Sequence, residues 1–292
     1  MTSAPVPEWL LDAPMSVEGA LTEASNLTLL VHFDLDGHTE GDKREGAAGR
    51  DVQAVPETSD PPARRGVYKP VRGERPLHDF PTGTLAQREV TAYLVSEWGG
   101  WHLVPPTVLR DGPLGPGSVQ QWVEAPEEDD RPGTGLVDVV RPEDLDEGWL
   151  PVLQAQDRFG SPLLVVHADD ADLAGMAVLD AVLNNADRKA AHLARDGCGR
   201  LWGFDHGLCA HPRPKLRTVL WGWAGRPLPE REVQRLTRLL ETVDTPANHE
   251  EVGDLLSTVE QHALLIRIEG LLADAVFPDP PQDRSALPWP LW

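Results

Sequence analysis

Asp187 lies in the run AVLNNADRKAAH and Asp205 in LWGFDHGLC, eighteen positions apart, and the stretch between them reads as a short β-hairpin. Two aspartates at the ends of such a hairpin can face each other across a cleft and hold a metal-bound phosphate. Upstream, Lys69 falls in a short strand-like run, GVYKP, and Glu89 in a helix-like one, TLAQREVTAYLVSE. Phosphoryl transfer from ATP asks for a strand lysine on the phosphates and a helix glutamate that orients it. It also asks for an aspartate at the acceptor hydroxyl and a second aspartate on magnesium. The four side chains occur in that order. Each alone has a plainer explanation: a surface lysine, a solvated helix charge, a turn aspartate, a strand-end cap. The ordered set carries the reading.

The elements that must position these residues are partly visible. Residues 17–34 read as a hairpin with Ser25-Asn26 at its tip, the second half being β-rich and apolar. Residues 38–65 are polar, contain Gly and Pro and lack periodicity, which predicts a long mobile loop. A helix is predicted over 84–97, with Thr84 and Gln87 as a capping box and Ala86, Val90, Tyr93 and Leu94 as its apolar stripe. Short strands are predicted at 107–109 and 119–124, with RDGPLGPGS as a turn-rich connection. An acidic, Pro-containing segment over 125–148 suggests the boundary between two lobes. The second half reads as mainly helical, with helices at 170–183, 231–243 and 252–276. The tail PDPPQDRSALPWPLW is expected to pack on the body through its tryptophans, with a protein partner as the other option. The predicted organisation is therefore a small β-rich lobe (16–124), a mostly helical lobe (125–277) and a Pro/Trp-rich tail (278–292).

The 292 residues carry a formal net charge of −21, which disfavours binding to nucleic acid or to anionic membrane surfaces. No apolar run is long enough for a membrane span, and the first residues lack the pattern of a secretory signal. Two cysteines, Cys198 and Cys209, fit a reducing, cytoplasmic setting. The charge is uneven. Residues 206–229 contain no Asp or Glu but include Arg213, Lys215, Arg217 and Arg226, and five basic residues within 64–75 face only Glu74. Such stretches suit a small anion; otherwise they are salt-bridge partners for an acidic surface.

The run Asp187-Arg188-Lys189 resembles the Asp-Arg-His catalytic loop of phosphatidylinositol 3- and 4-kinases, and Gly203-Phe204-Asp205-His206-Gly207 resembles their form of the Asp-Phe-Gly motif. The stretches VYKPVRGERPLHDFPTGTLAQREVTAYLVSE and KLRTVLWGWAG are similar to a bacterial family described as phosphatidylinositol 3-/4-kinase-like, over about residues 19–225. The resemblance implies an α+β, two-lobed protein-kinase-like fold that uses ATP with Mg2+ or Mn2+. It implies that Lys69 contacts the phosphates and pairs with Glu89, and that Ser25 and Asn26 form the tip of a phosphate-covering hairpin. Backbone groups of Gln121, Trp122 and Val123 would receive adenine. Asp187, with Arg188 and Lys189, would act at the acceptor hydroxyl, and Asp205 would bind metal. Three positions depart from the family pattern. His192 stands where a second metal ligand is usually Asn, leaving His192, Asn184 or Asn185 to serve. His206 replaces Phe, and the covering hairpin has no glycine-rich run.

The expected function is transfer of the ATP γ-phosphate to an unidentified hydroxyl, a soluble metabolite or protein rather than a phosphoinositide. Arg213, Lys215 and Arg217 are its candidate substrate contacts. A nucleotide-binding pseudokinase is the first alternative. A metal-dependent phosphohydrolase built on His167, Asp169, Asp187, His192 and Asp205 is the second.

Overall fold

The computed structural model describes residues 5–21, 26–34, 64–124 and 133–292. The fold is mixed α+β. Near the N-terminus a short helix, α1 (Glu8–Asp12), precedes five antiparallel strands: β1 (Met15–Ala20), β2 (Leu29–Phe33), β3 (Arg65–Pro70), β4 (Thr107–Gly112) and β5 (Gly115–Gln121). They form one sheet in the order β1-β2-β3-β5-β4. Burial alternates along β3, so Gly66, Tyr68 and Pro70 are buried while Val67 and Lys69 are only half-buried. The period of two thus lifts Lys69 out of the core.

The segment RDGPLGPGS is not mainly a turn. Most of it belongs to β4 and β5, which pair through Gly112 and Gly115 around only Pro113 and Leu114. The Tyr68 ring explains two of the three glycines. A Cβ on Gly112 would come within 2.6 Å of that ring and one on Gly117 within 2.7 Å. The phenol completes the contact by donating to the Gly115 carbonyl at 2.5 Å.

Helix α2 (Leu85–Gly99) follows the sheet's third strand. Its N-terminus is not closed by the expected Thr84 capping box, since Thr84 Oγ1 donates to the Pro81 carbonyl. Glu74 does the work instead: its Oε1 accepts the Leu85 and Ala86 N–H groups, each at 3.1 Å. Gly100, at φ 79°, ends the helix in the left-handed conformation.

The remainder is less helical than its sequence suggests. Strands β6 (Val137–Val140), β7 (Trp149–Gln156) and β8 (Pro162–Ala168) form a second antiparallel sheet, ordered β6-β8-β7. Helix α3 (Ala171–Leu183) leads to the hairpin of β9 (Leu193–Arg195) and β10 (Leu201–Gly203). Then come α4 (Glu230–Val243), α5 (Pro246–Leu255) and α6 (Thr258–Asp274), so the region read as one helix over 252–276 falls in two. Among the described residues, no helix is long and apolar enough to cross a membrane.

Two hydrophobic clusters underlie this arrangement. The smaller contains Leu10, Val31, Phe33, Tyr68 and Val119 from α1 and the first sheet. The larger contains Leu173, Leu179, Leu236 and Ile268, and with them Val90, Tyr93, Leu94 and Trp98 of α2. Helix α2 therefore shares its core with the helical body, although it precedes residue 124 in the chain. Its buried Arg88 strengthens the tie, reaching Glu260 of α6 and the Cys209 carbonyl. The tail packs through Leu291 and Trp292, so only one of its two tryptophans meets the expectation: Trp289 is 87 % exposed.

Candidate active site

Lys69 emerges from β3 into a cleft and meets two carboxylates. Its Nζ lies 2.5 Å from Glu89 Oε1 and 2.7 Å from Asp205 Oδ1. Glu89 is buried, and its other oxygen accepts the His206 N–H at 2.9 Å. One helix glutamate thus fixes both the strand lysine and the backbone immediately after Asp205. Lys69, Glu89, Asp187 and Asp205 all line one cavity of about 140 Å³. The four residues singled out by type and order are brought together.

The charges shape one another. Burial opposes ionisation of Asp205, but the Lys69 ammonium overcomes it and holds the carboxyl well below the usual carboxylate range. Half of the Asp205 side chain is open to the cleft, so the paired cation, not enclosure, decides its state. Burial also opposes the charge on Lys69, and Asp205 and Glu89 together reverse that and raise it. Asp187 moves the other way. Burial raises it above the usual carboxylate value, with Lys189 opposing and Asp205 assisting. Lys189 Nζ lies 3.3 Å from Asp187 Oδ2. Asp205 also sits at φ 54°, a strained backbone for a residue other than glycine, tolerated best by short polar side chains.

The loop that carries Asp187 is held from below. Arg188 is fully buried and forks onto Asp180 at 2.9 and 2.8 Å. It also donates to the Phe204 carbonyl at 2.9 Å and to His206 Nε2 at 2.6 Å. Arg188 therefore has no route to a substrate. Its expected catalytic role is corrected to a positioning one, joining the two aspartate loops. The amides of Asn184 and Asn185 are likewise committed. Asn184 binds the His211 and Arg213 carbonyls and the Lys215 N–H, while Asn185 binds Asp180 and the Asp187 N–H. Neither is available as a substitute metal ligand.

His192 does face the site, with Nε2 at 3.4 Å from Asp205 Oδ2 and Nδ1 buried without a partner among the described residues. Burial lowers its pKa to about 4, with Arg188 and Lys189 adding to the effect and Asp205 opposing it, so the imidazole is neutral near pH 7. The hydrolase grouping does not assemble. His167 Nε2 accepts the Gly222 N–H and Asp169 accepts the Trp223 indole N–H. Among the described residues no cluster of three or more His, Cys, Asp or Glu is placed to hold a metal without further ligands.

Other expectations fare unevenly. Ser25 lies outside the described residues. Asn26 lines the cavity, but its side-chain oxygen is taken by the Arg75 N–H at 2.8 Å. The N–H groups of Gln121 and Trp122 are bonded to the Pro106 and Arg65 carbonyls, and that of Val123 has no backbone partner among the described residues. All three lie outside the cavity wall, which reaches only Ser118 on that strand. Arg213 is exposed and does not line this cavity, and Lys215 is paired with Asp79. Arg75 was missed. It lines the cavity beside Lys69, and its only sequence signal was membership of the basic stretch at 64–75.

The site thus belongs to a mixed α+β protein in which a strand lysine, a helix glutamate and two loop aspartates converge on one cleft. The chain is 47 % identical over 228 residues to the Mycobacterium tuberculosis protein Rv2133c, covering 77 % of this chain and 81 % of that one, and it belongs to that protein's family. No protein-family model matches. Among solved structures, the Helicobacter pylori proinflammatory kinase CtkA is similar over 92 % of this chain and 94 % of that one, at a TM-score of 0.45 and 10 % identity.

Proposed function

We propose that the chain has a two-lobed kinase-like architecture and is an ATP-dependent phosphotransferase that moves the γ-phosphate to a hydroxyl group. The observation that carries the reading is Lys69 held between Glu89 and Asp205 in a cavity that also contains Asp187. Lys69 and Arg75 supply positive charge to the phosphates, and Glu89 fixes Lys69. Asp187 accepts the hydroxyl proton, a task helped by its raised pKa. Val123 offers its N–H at the expected adenine-binding segment.

The donors fit a divalent cation. Asp205 presents an open carboxylate, Asp187 lines the same cavity, and His192 is a neutral imidazole facing Asp205. Magnesium is commonly held by one or two carboxylates plus substrate phosphates, and an imidazole shifts preference toward manganese. When bound, the cation would neutralise charge on the transferring phosphoryl group. The gain then comes from positioning and electrostatics.

His192, in the position usually held by Asn, favours a second reading, a nucleotide-binding module with little turnover. Both readings are tested by thermal unfolding with ATP plus Mg2+ or Mn2+, against metal alone, for the native chain and Asp205→Asn. Asn tolerates the left-handed backbone of residue 205, so the variant reports on charge. Ligand at 100 times its dissociation constant stabilises by about 2.7 kcal/mol. A midpoint rise that needs both nucleotide and metal, and vanishes in the variant, is expected. No rise at millimolar nucleotide sinks both readings. A rise without ATP consumption in the presence of any hydroxyl acceptor favours the second.

A further inference from the structure

A second cavity, of about 370 Å³, opens beside the first, and the two share Leu77 and Leu208 as walls. Its other walls include Asp79, Lys215 and Arg217, with Arg284 and Ser285 from the tail. Such a volume suits a small molecule. We propose that this cavity is the acceptor site, and that the acceptor is a small hydroxyl compound bearing a phosphate or carboxylate, gripped by Arg217 and Arg284. The proposal rests on the phosphotransfer reading above and names its substrate class.

The charges in the cavity are unequally committed. Lys215 and Asp79 neutralise each other. Arg217 has no carboxylate partner among the described residues; its Nε donates to the Ala186 carbonyl at 2.6 Å, one residue before Asp187. Among the described residues, Arg284 pairs only with its neighbour Asp283 at 3.0 Å, and Asp283 is largely exposed. An exposed pair of this kind is weak and readily exchanged for a better anion. Two arginine forks therefore remain for the ligand, and the guanidinium geometry matches phosphate and carboxylate. In a chain of net charge −21, such a pocket is where a small anion finds attraction.

Placement is as telling as charge. The Arg217 N–H binds the Asn185 carbonyl and the Arg188 N–H binds the Arg217 carbonyl, so the arginine is clamped along the loop that bears Asp187. Its charge is among those that act on Asp187. The tail is fixed opposite, where the Ala286 carbonyl accepts the Thr218 N–H at 3.1 Å and the Trp221 indole N–H at 2.8 Å. An acceptor anchored by its anionic end between these walls directs its hydroxyl past Leu77 and Leu208 toward Asp187. In the transfer, the bond from the γ-phosphorus to the β,γ-bridging oxygen breaks, and that oxygen leaves on ADP with the bonding electron pair. A bond from that phosphorus to the acceptor oxygen forms, and the hydroxyl proton passes to Asp187.

The test uses the full chain with a non-hydrolysable ATP analogue and Mg2+ at saturation, so that the first cavity is filled. Inorganic phosphate is then titrated at constant ionic strength while the unfolding midpoint is followed. Phosphate is expected to raise the midpoint further. Arg217→Gln and Arg284→Gln should each weaken its apparent affinity about tenfold or more while retaining the nucleotide-dependent rise, which also reports that they fold. A phosphate effect that is absent, or equal in all three proteins, overturns the acceptor site. Absence of the nucleotide-dependent rise in the native chain overturns the phosphotransfer reading itself, and the acceptor role with it. Phosphate alone, without nucleotide, then still reports whether an arginine-dependent anion pocket exists. Turnover separates the sources of the anion. ATP consumption with inositol 1-phosphate but not with phosphatidylinositol vesicles assigns a soluble acceptor, and the reverse assigns a lipid headgroup. Glycerol serving as well as glycerol 3-phosphate overturns the requirement for an anion.

Discussion

Lys69 answers to two carboxylates that reach it from separate parts of the chain, and Asp187 stands nearby with a different electrostatic history. Burial raises Asp187, and the Lys189 ammonium at 3.3 Å holds the rise in check. A base must be ionised to act, so the acid limb of the rate profile should lie above the usual carboxylate range. Lys189→Gln removes the opposing charge. The acid limb of kcat/KM should then move to higher pH, while a limb that stays in place would show that Asp187 is not the base. At this scale the sequence was informative for Lys69, Glu89, Asp187 and Asp205, because chemistry fixes both their types and their order. It was uninformative for Arg75 and misleading for Arg188. Neither cavity walls nor the burial of a guanidinium under Asp180 leaves a pattern in neighbouring residues.

Helix α2 is where local signals and tertiary structure diverge most. The Thr84-to-Gln87 spacing suits a capping box, yet Glu74, eleven residues before Leu85, captures the free N–H groups. Glu74→Ala should destabilise the chain by about 1–2 kcal/mol, within the range for lost helix caps, and Thr84→Ala by less. Urea denaturation of the two variants decides between them; the reverse order would restore the capping box. The strand holding Lys69 and helices α2, α3 and α4 were legible because their periodicity and boundary residues agree. The second sheet was not legible. Its strand β6 lies within an acidic, Pro-containing segment, and β7 and β8 have no clean alternation to set them apart from the helical surroundings. The hairpin of β4 and β5 was obscured because two of its glycines, Gly112 and Gly117, serve the Tyr68 ring, while Gly115 alone, at φ 98°, serves the turn.

The molecule as a whole keeps neutral histidines inside. Burial lowers His167 and His192 to about 4 and His206 well below its usual 6.5. Between about pH 6.5 and 4 the unfolded chain binds protons that the folded one refuses, so stability falls as pH falls through this window. Each such histidine contributes a slope of about 1.4 kcal/mol per pH unit. His167 lies outside the proposed site and accepts the Gly222 N–H. In His167→Gln the slope of unfolding free energy against pH should drop by about one proton, read from denaturant midpoints at several pH values. An unchanged slope would mean that His167 is protonated in the fold. Helix α2, finally, has no solvent face to spare: of its 15 residues only Gln87 and Glu97 are not buried. One flank belongs to the ion pair with Lys69 and the others to the common core. Its history of accepted substitutions should therefore lack the usual beat of every third or fourth position. A lineage that loses the chemistry of Glu89 is still bound to conserve the helix around it, so drift there is slow whether or not the cleft remains in use.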